Sequence, residues 1–271
     1  MIKALHSKLE KLQESIRGKE TLVIAFSGGV DSSLIAKIAF DELGENSVAV
    51  TVNAESYSKK ELTIAEKIAS EIGIHHEIVT LNQLGDSNYV KNEADRCYFC
   101  KKGEMSLMRE VARRFGFKHV AFGVNISDFG EHRPGLKALQ EDGDFRPLAD
   151  AGLAKDEIVQ LAEFLGLSNY DLPSTTCLSS RIPYGQTITA DKLSQIEAAE
   201  SLLSTFGIRQ SRVRNYGELA RIEVSQQEID KVVANRQAIV SKLKELGFLY
   251  ITLDLEGYRS GSMNDVLTQN A

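Results

Sequence analysis

The stretch TLVIAFSGGVDSSLIAKIAFDELG, residues 21–44, most narrowly limits what this chain folds into. An apolar, β-rich run meets a glycine pair and then a helical pattern, so the segment reads as strand, tight loop and helix. In the loop itself, SGGVDSS at 27–33, Gly28 and Gly29 permit backbone conformations that bulkier residues resist. Successive amides then converge on an anion at the positive end of the following helix. Ser27, Ser32 and Ser33 add hydroxyl donors, and Asp31 is a candidate magnesium ligand. The Walker pattern places a lysine after its last glycine, and this loop has none. A bare SGG reads equally well as a glycine turn with Ser32 or Asp31 capping a helix. The whole string at the first crossover is what points to phosphate.

The same alternation recurs down the chain. SVAVTVNA precedes KKELTIAEKIASEIG; HHEIVTL precedes a polar connection through 82–96; KKGEMSLMREVARRFG precedes HVAFGVNI. Strands alternating with helices of this length predict an α/β domain with a parallel, Rossmann-like sheet covered on both faces. Residues 127–150 read as loop, and KDEIVQLAEFLG as a further helix. Beyond Thr187 the order becomes helix (ADKLSQIEAAESLLSTFG), strand (SRVRNY), strand (LARIEV), helix (QQEIDKVVANRQAIVSKLKELG) and strand (YITLDL). That is a smaller α+β domain, and we divide the chain into 1–172 and 173–271.

SGGVDSS resembles the fingerprint SGGxDS of the ATP pyrophosphatase (PP-loop) family. The resemblance implies a domain that grips the β- and γ-phosphates of ATP with Mg²⁺, leaves the α-phosphate open to attack and releases pyrophosphate. It also implies that Asn53 in TVNAESY, and Gly123 and Asn125 in FGVNISD, face the adenosine, with Asp128 at the ribose or metal. Ligands of open α/β sheets do bind outside the carboxyl ends of the strands. A loop aspartate such as Asp128 is more often just a turn former.

The chain carries a formal charge of −6, and no apolar run is long enough to span a bilayer. An acidic total argues against a large nucleic-acid surface. Three cysteines without a secretion signal at the amino terminus fit a reduced, cytoplasmic setting and no disulfide framework. Two of them form CYFC at 97–100; the third, Cys177, lies in STTCLSSRIPYG with Arg181 four positions on. CYFC opens a helix, where Lys101 and Lys102 favour a thiolate, so it reads as a redox pair. It also reads as half a zinc site with His132 as a further ligand. Three unconnected cysteines are the plainest reading.

GVNISDFGEHRPGLKA, CLSSRIPYG, SRVRNYGELARIEV and LDLEGYRSGSMND together resemble the LarE family over essentially the whole chain. These are ATP-dependent sulfur transferases that make the thiocarboxylates of the nickel-pincer nucleotide from a pyridinium biscarboxylic acid mononucleotide. The family has a sacrificial form, in which a cysteine at the Cys177 position gives up its sulfur, and a three-cysteine form. Cys97, Cys100 and Cys177 match the latter, which implies a [4Fe-4S] cluster carrying sulfide from an external sulfur donor. The resemblance further implies that Arg212, Arg214 and Arg259 bind the substrate phosphate, which suits the guanidinium fork. Arg212 and Arg214 stand two apart on a predicted strand and so share a face; an ion-pair face with Glu218 or Glu223 fits the same spacing. Arg181 is a candidate to stabilise the carboxylate or the leaving AMP. We expect a homo-oligomer. A PP-loop tRNA thiolase, an amide-forming ligase and a nucleotide-binding regulator are the rival readings.

Overall fold

The computed structural model describes residues 3–129, 134–141, 144–173 and 175–268. In chain order its elements are α1 (Lys3–Arg17), β1 (Leu22–Ala25), α2 (Val30–Leu43), β2 (Ser47–Ala54), α3 (Lys59–Ile72), β3 (His75–Leu81), α4 (Ser87–Val90) and α5 (Arg96–Phe115). They continue as β4 (His119–Ala121), α6 (Pro134–Glu141), α7 (Pro147–Asp150), α8 (Lys155–Phe164), α9 (Ala190–Thr205), β5 (Ser211–Asn215) and β6 (Leu219–Val224). The last are α10 (Ile229–Ala234), α11 (Arg236–Glu245), β7 (Tyr250–Leu253) and α12 (Asp265–Thr268).

The chain forms two compact units, one of Met1–Asn82 with Cys97–Thr175, the other of Gln83–Arg96 with Thr176–Ala271. In the first, a parallel sheet runs in the order β3-β2-β1-β4. Side chains of a strand alternate between its two faces. Leu22 and Ile24 therefore enter a core built with α1, α2, α3 and α8, whereas Val23 enters a second core with α5 and α6. This is the parallel α/β arrangement expected from the alternating pattern. The strand in HVAFGVNI is shorter than its apolar run, because β4 stops at Ala121 and Phe122 donates its amide to Phe145 O at 3.0 Å. The loop reading of 127–150 is corrected by α6 and α7. Each begins on a proline, which fits a first helical turn as readily as it breaks a helix interior.

In the second unit, β5 and β6 pair antiparallel and β6 and β7 pair parallel, giving a small mixed sheet. Val213, Ala220, Ile222 and Val224 pack on Leu203, Val232, Ile239 and Leu243 from α9, α10 and α11. The single helix expected from QQEIDKVVANRQAIVSKLKELG is divided at Asn235.

Segment 83–96 is bound tightly within this unit. Asn92, fully buried, donates from Nδ2 to the carbonyls of Pro183 (2.8 Å), Gln186 (3.0 Å) and Ile182 (3.2 Å). Arg96, also buried, bonds to Asn92 Oδ1 and to Ser179 O at 3.1 Å, and Tyr89 meets the Ser179 hydroxyl.

Candidate nucleotide site, cysteine turn and arginine cluster

The 27–33 loop leaves the carboxyl end of β1 and closes on itself through its own hydroxyls. Ser32 Oγ donates to Gly29 O at 3.0 Å and accepts the Ser27 amide at 3.2 Å, while Ser27 Oγ accepts the Gly29 amide at 3.3 Å. Gly28 sits at φ +71°, and a β-carbon there would lie 2.8 Å from Ala65 Cα and N of α3. Backbone on backbone has no way to yield, so this position accepts glycine alone. Gly29 is the residue before α2, directing that helix's first amides at the loop's concave side. Asn169 braces the loop from behind, donating to Gly28 O at 2.7 Å and Ser33 Oγ at 2.9 Å.

Asp31, in the first turn of α2, accepts from Asn125 Nδ2 at 3.0 Å and is bonded by Lys155 Nζ from the start of α8. The loop without a Walker lysine thus has an ammonium beside it from a helix more than a hundred residues later. Gly123 lies against this turn: a β-carbon there would sit 3.3 Å from Asp31 Cβ and from Ser32 N. Asp128 receives the Asn125 amide at 3.0 Å in a reciprocal cap, so its turn-forming role is realised. Asn53 is exposed near the end of β2.

Beneath the loop, Thr51 Oγ1 donates to Phe26 O at 2.8 Å and therefore accepts from His76 Nε2, 2.7 Å away. Burial, opposed by Glu66 and assisted by His75, lowers the His76 pKa from its ordinary 6.5. A histidine kept neutral by the fold contributes stability above its unfolded pKa and loses it as the pH falls through that value toward the folded one. Thermal melting followed downward from pH 6.5 is expected to show a fall in Tm that is shallower in His76→Gln.

Cys97 and Cys100 are the second and fifth residues of α5, three apart and so on one face. Cys100 Sγ donates to Glu104 Oε1 at 3.5 Å, and Glu104 also accepts from Tyr57 and Lys101. Burial alone would raise the Glu104 carboxyl, but the Lys101 charge and these hydrogen bonds outweigh it and hold the group ionised below its ordinary value.

In the second unit Cys177 precedes a tight turn, Leu178–Arg181. Arg181 holds that turn: it donates to Cys177 O at 2.9 Å, Thr176 Oγ1 at 2.8 Å and Ser180 Oγ at 3.0 Å, and grips Glu200 with both Nε (2.9 Å) and Nη2 (3.0 Å). None of the three cysteines is in a disulfide. Among the described residues no group of three or more His, Cys, Asp or Glu side chains comes together to hold a metal. His132 and Ser174 lie outside the described residues.

Arg212 and Arg214 share one face of β5 and are both buried. Arg214 bonds Glu223 Oε2 at 2.6 Å, Ser180 O at 3.0 Å and Ser262 Oγ at 3.1 Å. Arg212 donates to Ser211 O at 2.8 Å and stacks over Tyr258 at 5.2 Å; burial, then the Arg181 charge, lowers its pKa. Arg259 is half-exposed and bonds Asp265 at 2.7 Å. The unit therefore gathers Arg181, Arg212 and Arg214 near the Cys177 turn, with Glu200 and Glu223 as counter-charges.

The NAD synthase family profile matches residues 1–177. The chain is 43% identical over 267 residues to an uncharacterized protein of Synechocystis, covering 98% of this chain and 100% of that one. It is 37% identical over 266 residues to the pyridinium-3,5-bisthiocarboxylic acid mononucleotide synthase of Lactiplantibacillus plantarum, covering 98% and 96%. An uncharacterized protein of Methanocaldococcus jannaschii is 30% identical over 256 residues, covering 93% and 98%. With the loop, the parallel sheet and near full-length identity to that synthase, the chain belongs to the LarE family of PP-loop ATP pyrophosphatases, which are ATP-dependent sulfur-transferring enzymes.

Proposed function

We propose that the protein adenylates a carboxylate of a pyridinium biscarboxylic acid mononucleotide and converts it to a thiocarboxylate. The observation that carries this reading is the 37% identity, over nearly the full length of both chains, to the Lactiplantibacillus synthase of the corresponding bisthiocarboxylic acid. Residues 1–172 take the nucleotide step and 173–271 bind the substrate. The loop amides and Ser27, Ser32 and Ser33 hold the β- and γ-phosphates, with Gly123, Asn53 and Asp128 lining the nucleoside end. Asp31 turns from Lys155 to Mg²⁺, which releases the ammonium toward phosphate oxygens. The substrate carboxylate attacks the α-phosphorus, the bond to the bridging oxygen breaks, and pyrophosphate leaves. Sulfur then displaces AMP from the acyl carbon.

Cys97, Cys100 and Cys177 are the residues that would hold a [4Fe-4S] cluster. Three thiolates suit that group, and two of them share a helix face. When bound, the cluster supplies an iron with an open position for sulfide. Arg181 keeps the Cys177 turn in shape and adds positive charge where AMP departs.

Arg212 and Arg214, with Arg259, bind the substrate phosphate. Charge-assisted hydrogen bonds contribute about 1.5–3 kcal/mol each, so Arg212→Ala is expected to raise the KM for the mononucleotide by about 10- to 100-fold with ATP affinity unchanged. Arg214→Ala is a harsher change, since it strips a partner from the buried Glu223. Steady-state kinetics with each substrate varied in turn test the assignment. Weakened ATP binding in Arg212→Ala would remove this arginine from the phosphate site. The reading as a whole is tested by incubating protein, ATP, sulfide and the biscarboxylic acid mononucleotide under nitrogen. Thiocarboxylate and AMP must appear together; AMP released without the acid would defeat it.

A further inference from the structure

The first unit has a second electropositive concavity, at the opposite end of its sheet from the nucleotide loop. His119 opens β4 in register with Leu22, the first residue of β1, whereas the loop follows β1 at its far end. At roughly 3.3 Å per residue, the strand separates the two by about 13 Å. The cavity measures about 680 Å³, a size that suits a small molecule rather than a lone ion.

Its walls carry Lys19 from the turn before β1, Lys118 and His119 from the start of β4, Arg109 from α5, and Arg146 just before α7. Asp144 and Asp150 are the acidic members. Asp144 is consumed by Arg109, at 3.0 and 3.2 Å. Among the described residues no carboxylate lies within ion-pair distance of Lys19, Lys118 or Arg146. Lys19 rests on the Phe145 ring, 4.5 Å from its centre, and Arg146 Nε is buried with no hydrogen-bond partner among the described residues. Burial, then the charges of Lys19 and Lys118, push the His119 pKa down against the pull of Glu20. This positive cluster stands out in a chain whose net charge is −6. Two ammonium groups and a guanidinium around one concavity match the several oxygens of a phosphate.

We propose that this cavity binds a compact phosphorylated anion carrying at least two negative charges, independently of the nucleotide loop. The test uses the full chain with its loop first filled by magnesium and a non-hydrolysable ATP analogue. Inorganic pyrophosphate is then titrated calorimetrically. With Arg212→Ala in both proteins to remove the other phosphate site proposed above, the parent is expected to show a binding event that weakens by about tenfold or more when Lys118→Gln and Arg146→Gln are added, a loss of about 1.4 kcal/mol or more. Pyrophosphate release from ATP remains at the parent's rate when the two are added. Lys19→Gln, on the turn before β1, repeats the test with a single change if the double variant melts early. No binding event in the loaded parent, or equal affinity in the variants, would overturn the proposal.

Discussion

Asp31→Asn is expected to lower ATP cleavage to AMP and pyrophosphate by roughly 10²- to 10³-fold, the usual cost of removing one group aimed at charge that develops in a transition state. The substitution keeps the shape, and the amide oxygen still accepts from Asn125, but the negative charge proposed for Mg²⁺ is gone. Folding is nearly untouched. The ion pair with Lys155 is partly exposed, with 21% and 41% of the two side chains accessible, and such pairs contribute about 0–1 kcal/mol. Tm should therefore stay close to the wild-type value while pyrophosphate release collapses. Lys155→Ala separates the two roles of this contact: it frees the carboxylate yet removes a cation from the phosphates, so ATP affinity falls while magnesium binding strengthens. Unchanged pyrophosphate release in Asp31→Asn would place the metal elsewhere.

Protein prepared without oxygen is expected to be brown, with about four irons per chain as the cluster formula requires, and to keep its mass after repeated turnover. Cys97→Ala, Cys100→Ala and Cys177→Ala should each lose colour, iron and multiple turnover together. Cys100→Ala also removes a donor from Glu104, but Tyr57 and Lys101 remain bonded to that carboxylate, so its melting should change little. The measurement that decides is intact-mass spectrometry after reaction with sulfide present. A loss of about 34 Da at Cys177, the mass of one H₂S, would show that the thiol itself is the sulfur source and would sink the three-cysteine assignment.

The loop and the parallel sheet were legible because both are local. A strand's alternation and a helix's 3.6-residue period show within a dozen residues, and SGGVDSS joins the two. What braces the candidate nucleotide loop was not legible. Lys155 and Asn169 come from distant segments, and nothing around either marks it as facing a loop near residue 30. Arg181 shows a related limit: its proximity to Cys177 was plain, but not that six hydrogen bonds already engage its guanidinium. Helix α6 was hidden by Pro134, since a proline signals a break and a first helical turn equally. Segment 83–96, polar and without periodicity, read as a mere connection because its partners lie about ninety residues further along.

That segment determines where the chain can be cut. A fragment starting at residue 173 would carry the Cys177 turn and the whole small sheet, yet leave behind Tyr89, Asn92 and Arg96. The carbonyls of Ser179, Ile182, Pro183 and Gln186 would lose their donors, and the buried side chains of Tyr89, Asn92 and Arg96 would be missing from the unit's packing. Transplanting the carboxyl-terminal unit onto another nucleotide-binding domain accordingly requires two splices made together, one around 83–96 and one near 175. Recombination at a single junction would deliver an incomplete module, so the two units are constrained to be inherited as a pair.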